Sequence, residues 1–483
     1  MSIKQKTISG LLWSFIDRFA STGITFIVGI VLARLLSPEE FGLIAMLTIF
    51  IGISSVFIQS GFNQALIRKV DCTEKDYATV FYFNILVSLV FYAILFLTSG
   101  LISDFYDEAI LQDLIKVLGL VLLINALTIV QRTIITKRVD FKLLTKISII
   151  SSVGSGALGI TLATTGFGVW SLVYRQIAQR ALEGGLLWYW NEWRPQDNFS
   201  KASLKELWAF SGNLFALGII DTIYNNIYYV IIGKFYPAAN LGQFRKADDF
   251  RKLPSETLGS VIDRVSFPVL SSIQKNKKQY YSTVERLLKS TMLLSFVLLI
   301  GIAAVAPELT VVLMGEQWAL AGDYLQILAF AAMFYPLDKL LSSLMKVAGR
   351  SELILKLGVI RKFLAVPVML TAIFIGIKPM LYVMVLYQLV CMVLVSTHAA
   401  KYAGLNVVML FKKITPAFLL SMVMFALMVI AGKMMNISYS GALLIKVGFG
   451  AIFIIGLFEI IRFNDYLYLK KELLGRIKTL RNK

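Results

Sequence analysis

The residues of this sequence that could do chemistry are charged side chains lodged in apolar surroundings. Asp17 and Arg18 interrupt the first long apolar run, Arg175, Arg180 and Glu183 a later one, and Asp338 and Lys339 another. Asp221, Asn225 and Asn226 share a further run. The densest group is Arg245, Lys246, Asp248, Asp249, Arg251 and Lys252, followed by Asp263 and Arg264. A lone charge at the centre of a bilayer costs at least about 2.5–3.5 kcal/mol on insertion scales. Retaining this many therefore implies hydration, pairing or function. Two readings stand side by side. The adjacent opposite charges Asp17/Arg18, Asp263/Arg264 and Asp338/Lys339 can neutralise one another across helices, and Arg245 and Asp249 are spaced as an intrahelical pair. Alternatively, the stretch from Arg245 to Lys252 is one wall of a hydrated cavity. Its four bases against two acids would suit an anionic substrate, because the arginine fork matches phosphate oxygens. The expected substrate-binding set is Arg18, Arg245, Lys246, Arg251, Lys252 and Arg264. The expected polar or ion-coupling set is Asp17, Asp221, Asn225, Asp249 and Asp263.

Catalysis finds little to work with. There is one histidine, His398, and the two cysteines, Cys72 and Cys391, lie far apart. No Gly-x-Ser-x-Gly, Walker A, HExxH or paired-cysteine motif is present. The expectation is a protein that is not an enzyme and carries no metal or cofactor.

The elements that must hold these charges are membrane helices. Of the 483 residues 57% are hydrophobic, and the mean hydropathy is +0.74. The apolar residues fall in blocks of about 20, the length that crosses about 30 Å of hydrocarbon. About fourteen such spans are expected, the first over 9–33, the eighth over 241–273 and the last over 441–462. The eighth is too polar to face lipid, so its charges should face water. Lys and Arg concentrate in alternate connections, which places both termini on the cytoplasmic side. Lys234, Lys378 and Lys433 are single exceptions on the other side. The same alternation accounts for the net charge of +19 without nucleic acid. The basic start, Met1–Gly10, is read as leading into the first span rather than into a cleaved signal. The tail reads as a basic amphipathic helix on the inner leaflet, with Tyr466, Leu469, Leu473, Ile477 and Leu480 at helical spacing.

A weak repeat runs through the chain. Trp13-x-Phe15 with Pro38-x-x-Phe41-Gly42 is echoed by Trp208-x-Phe210 with Pro237-x-x-x-Leu241-Gly242. Leu143-Leu144-x-Lys146 is echoed by Leu353-Ile354-x-Lys356. The expected organisation is an N-terminal lobe over 1–200, a second six-helix lobe over 201–405, two further helices over 406–462 as an appendage, and the tail over 463–483. Such repeats place substrate between halves that rock to alternate access.

At these residues the sequence resembles the polysaccharide-transporter family, the Wzx-type flippases of the multidrug/oligosaccharidyl-lipid/polysaccharide (MOP) superfamily. The carriers are Gly10-Leu-Leu-Trp13, the run Leu32-Ala-Arg34-Leu35-Leu36-Ser-Pro38-Glu-Glu40-Phe41-Gly42, and Gly61 through Ala65-Leu66-Ile67-Arg68. Gly242-x-Phe244-Arg245-Lys246-Ala247, Leu253-Pro254, Val265-x-Phe267-Pro268-x-Leu270-Ser271 and Gln274 are similar to the matching helix of colanic-acid and teichuronic-acid exporters. The charges at Asp248, Asp249, Arg251 and Lys252 depart from the neutral polar residues expected there. The resemblance implies an all-α polytopic fold of the MATE/MOP kind in a bacterial cytoplasmic membrane. It implies transport of an undecaprenyl-diphosphate-linked oligosaccharide to the outer leaflet for cell-surface polysaccharide. Partners would be membrane lipids, a polysaccharide polymerase and glycosyltransferases, with H+ or Na+ as coupling ion. The alternative within the same superfamily is a multidrug/cation antiporter, which would favour an acidic, aromatic cavity.

Overall fold

The computed structural model describes residues 3–404, 406–434 and 438–460, without the side chains of 3–12, 14–19, 403, 433–434, 455 and 457–460. The basic tail read from the sequence lies outside the described residues. All elements among the described residues are helical, and the chain is an all-α polytopic membrane protein. Ten helical segments are both long and apolar enough to cross a membrane, and two shorter apolar stretches, Ala20–Leu35 and Tyr439–Ile454, join them. The chain divides into two compact units, Met1–Gly242 and Gln243–Lys483.

In the first unit the order is α1 (Ile3–Leu35), α2 (Pro38–Gln59), α3 (Phe62–Arg68), α4 (Glu74–Leu97), α5 (Ser99–Tyr106), α6 (Leu111–Leu118), α7 (Leu120–Lys137), α8 (Phe141–Thr164), α9 (Val169–Trp190) and α10 (Lys201–Phe235). Local chemistry sets where they begin. Ser37 and Glu40 make a reciprocal capping box at the start of α2, with Pro38 in the first turn. Thr73 and Asp76 do the same for α4. α2 ends in the left-handed pair Ser60 and Gly61, so α3 follows after one sharp corner. Asp140 and Ser200 cap α8 and α10.

Small residues let these helices close on one another. A Cβ on Gly156 of α8 would meet Val28 of α1, and one on Gly184 of α9 would meet Thr128 of α7. The tightest approach joins the two copies of the Pro…Gly signature. A Cβ on Gly42 would fall 1.8 Å from the carbonyl oxygen of Ala238, and one on Gly242 would fall 1.8 Å from that of Pro38. The contact is reciprocal, and all four residues belong to the first unit. Both repeat copies also open on a long helix ending in a tight corner: α1 runs to Leu35 before Pro38, and α10 to Phe235 before Pro237.

The second unit holds α11 (Ala238–Ile273), whose first residues lie in the first unit, then α12 (Lys277–Met314), α13 (Ala319–Ala332) and α14 (Tyr335–Val347). α15 (Ser351–Leu364), α16 (Val366–Phe374), α17 (Ile377–Ala399), α18 (Val407–Met434) and α19 (Tyr439–Ile460) follow. One apolar core runs through it, with Met292, Phe296 and Leu299 of α12 packed with Leu337 and Leu341 of α14 and Leu410, Ile414 and Met424 of α18. The last two helices are thus built into that core. Two of the lysines that broke the charge pattern are paired: Lys234 lies 2.9 Å from Asp107, and Lys378 2.9 Å from Asp323. The Lys433 side chain is outside the described set.

Candidate functional site

α11 is helical through Pro254 and Pro268, and its mean hydropathy is too low for it to join the ten apolar spans. Its first turn in the second unit is fixed by Gln243. The buried carboxamide donates to the Gln317 carbonyl (2.6 Å) and accepts from the Ala321 amide (2.9 Å). Lys246, one turn on, is buried with its ammonium 5.9 Å from the ring centre of the fully buried Trp318.

The charges that follow are organised along the helix. Arg245 reaches Asp249 one turn ahead at 3.1 Å. Asp248 is buried and takes both Arg251 and, at 2.6 Å, Lys252. The intrahelical spacing read from Arg245 and Asp249 is realised, and Asp248 makes a second such cluster. Asp263, further along, accepts from Ser343 (3.2 Å) and pairs with Lys346 (2.9 Å) of α14. Arg264 is exposed on the next face. The helix therefore carries two paired clusters, Arg245 with Asp249 and Asp248 with Arg251 and Lys252, three bases against two acids. Lys246 sits apart against Trp318, and Asp263 is tied to α14.

The remaining expected residues lie in the first unit. Asp221 and Asn225 occur one turn apart on an exposed face of α10, while Asn226 bonds the Thr222 carbonyl at 2.8 Å. Asp17 and Arg18 belong to α1, with side chains outside the described set. Elsewhere in that unit Glu183 of α9 holds Arg132 (2.5 Å) and Arg180 (3.1 Å). Lys69, in the connection after α3, reaches Asp76 (2.9 Å) and Glu206 (3.0 Å). Partial burial works against that ammonium, but the hydrogen bonds to Asp76 and Glu206 hold its pKa above the usual lysine value.

Sequence reasoning missed two charged contacts in the second unit. Asp338 is gripped by both terminal nitrogens of Arg361, at 3.0 and 2.5 Å. Lys446 of α19 is buried; its ammonium donates to Glu308 (2.6 Å) and to the Ala304 carbonyl (3.0 Å). The Lys446 bonds lie beside a missing rung in the hydrogen-bond ladder of α12, which stays helical through Pro307. Pro307 has no N–H for the Ala303 carbonyl, and Gln326 of α13 supplies one at 3.1 Å. The sequence signal was present: an acid directly after a proline in an apolar run, and a single lysine in another.

Residues 31–323 match the family described as polysaccharide biosynthesis protein. The chain belongs to that family. Proteins similar to it include the teichuronic acid biosynthesis protein TuaB of Bacillus subtilis (strain 168), 26% identical over 360 residues, 73% of each chain. The lipopolysaccharide biosynthesis protein WzxC of Escherichia coli (strain K12) is 25% identical over 373 residues, 76% of this chain and 75% of its own. Among solved structures, the lipid II flippase MurJ in an inward closed conformation superposes with a TM-score of 0.74 at 14% identity, covering 93% of this chain and 99% of MurJ. An inward-facing multidrug resistance MATE transporter of the MOP superfamily gives 0.63 at 14% identity, covering 82% and 98%. This family member therefore shares the fold of MurJ and of that MATE transporter.

Proposed function

We propose that the chain is a flippase that carries an undecaprenyl-diphosphate-linked oligosaccharide from the cytoplasmic to the outer leaflet of a bacterial cytoplasmic membrane, with both termini cytoplasmic. The observation that carries the reading is membership of a polysaccharide biosynthesis family by a chain whose described residues are nearly all membrane helix. The longest connection among them, residues 191–200, is too short to fold into a catalytic domain. A protein of this shape contributes to polysaccharide synthesis by moving a precursor. Sugars and diphosphate cannot cross hydrocarbon alone, since unsatisfied polar groups cost several kcal/mol each there. With the interior negative, outward movement of each negative charge gains roughly 2.3 kcal/mol per 100 mV.

The lobes 1–200 and 201–405 would rock about the substrate, with H+ or Na+ coupling through Asp17, Asp221 or Asp249. α11 and Arg18 would meet the diphosphate. Pairing within α11 supports a reading in which these bases exchange a carboxylate for a phosphate. The test separates binding from structure. Reversing Arg245 alone sets two acids side by side, whereas the swap Arg245→Asp/Asp249→Arg restores the pair. Polysaccharide export lost in both variants, with a lipid-linked repeat accumulating on the inner leaflet, is the expected result. Normal export by the swap would leave Arg245 a structural role only, and no accumulated precursor in a deletion strain would remove the flippase reading.

A further inference from the structure

α9 carries a polar strip that no side chain among the described residues pairs with. Arg175, Gln176 and Gln179 follow one another along the helix, with Gln179 one turn beyond Arg175. All three are partly buried. Among the described residues none of their side chains has a hydrogen-bond or ion-pair partner, and none of their polar atoms is sealed from solvent. This sets Arg175 apart from Arg180 on the same helix and Arg132 on α7, which share Glu183. The packing makes room for the arginine. A Cβ on Gly159 of α8 would lie 3.0 Å from both Cβ and Cδ of Arg175, so the glycine admits the aliphatic stem and holds it along α8.

A guanidinium with no carboxylate partner among the described residues, in a helix that the sequence reads as a membrane span, is expensive unless an anion visits it. Two carboxamides beside it add donors and acceptors suited to phosphate oxygens and sugar hydroxyls. We propose that Arg175, Gln176 and Gln179, backed by Gly159, form a binding site for the phosphate or carboxylate of an anionic lipid in the first unit. Arg175 lies six residues into α9, about 9 Å along the helix axis. With the termini cytoplasmic, that is the outer part of the membrane, where a transported head group would arrive. The site deepens the flippase reading and rests on it for this placement. The same chemistry is offered by the diphosphate of a prenyl lipid and by the phosphate of phosphatidylglycerol.

The test is native mass spectrometry of the full chain in detergent, titrated separately with undecaprenyl diphosphate and with phosphatidylglycerol. Arg175→Ala should weaken binding about tenfold to a hundredfold, the range for losing charge-assisted hydrogen bonds. Arg175→Lys, which keeps the charge and loses the fork, should fall between. Weakening confined to undecaprenyl diphosphate assigns the strip to cargo, and weakening confined to phosphatidylglycerol assigns it to outer-leaflet lipid. Unchanged binding of both lipids overturns the site. If Arg175→Ala fails to fold, Gln176→Ala/Gln179→Ala with Arg175→Lys makes the same comparison. Wild-type protein that binds no undecaprenyl diphosphate counts against the flippase reading, whereas wild-type binding unaffected by the substitutions counts against the strip alone.

Discussion

Replacing Gly242 by alanine tests the reciprocal contact between the repeat signatures. The added Cβ would sit 1.8 Å from the Pro38 carbonyl oxygen, 2.7 Å from its carbon and 3.1 Å from the Gly42 amide nitrogen. Ordinary contact begins at 3.4 Å. The first turns of α2 and α11 would have to part by about 1.6 Å, and backbone atoms cannot rotate aside as a side-chain end can. Overpacking of a close-packed site costs about 1–3 kcal/mol, and a clash with main chain belongs at the upper end. In a unit of this size each kcal/mol moves the melting midpoint by about 2–4 °C. A fall on the order of 6–12 °C is expected for the purified protein by differential scanning fluorimetry. Gly100→Ala in α5, where a new Cβ meets nothing within 4 Å, is the control and should melt at or slightly above the wild type. Because Gly42 and Gly242 lie at the same close approach of α2 and α11, parting the helices for one relieves the other, and Gly42→Ala/Gly242→Ala should lose less than the sum of its single losses. A Gly242→Ala protein melting within a degree of the wild type would refute the reasoning.

Three other outcomes follow, two from ion pairs and one from a hydrogen bond. Lys446→Met leaves the partly buried Glu308 without its cation and should cost about 3 kcal/mol, whereas Lys446→Met/Glu308→Leu should recover most of that; denaturant unfolding in mild detergent reads the difference. Arg361→Lys keeps charge beside Asp338 but surrenders the two-pronged grip, so it should destabilise by about 1–2 kcal/mol, and a melting curve equal to the wild type would contradict it. Gln326→Leu orphans the Ala303 carbonyl beside Pro307 at a cost of about 1–3 kcal/mol, detectable as faster amide exchange in α12.

The helices were legible because lipid forces a simple code: every backbone group is satisfied within a helix, and apolar blocks of fixed length declare it. Even the polar α11 was readable, since treating 241–273 as a loop would have broken the alternation of Lys and Arg. The i,i+4 spacing of Arg245 and Asp249 also announced their pairing. Partners between helices were not legible. Nothing local in the sequence says that Lys446 finds Glu308, that Arg361 finds Asp338, or that the stem of Arg175 lies on Gly159. Those depend on which faces meet after packing, and a period of 3.6 residues names a face without naming its neighbour. The repeat signature was visible at Pro38–Gly42 and Pro237–Gly242, but that its two copies touch one another was not.

The knot at Pro307 has a consequence for how this architecture can be shortened. α18 and α19 come last in the chain and look detachable, so a twelve-helix version would seem a matter of stopping near residue 405. Yet Lys446 supplies the counter-ion for Glu308 and a donor for the Ala304 carbonyl. Gly432 leaves the space through which the lysine stem passes, for a Cβ there would sit 2.3 Å from Cε. Trimming the last pair would open an acid and a main-chain oxygen of α12 to lipid. A minimal version of the fold would need a neutral residue at Glu308 before it could lose its final two helices, so dispensability here depends on a residue more than a hundred positions upstream.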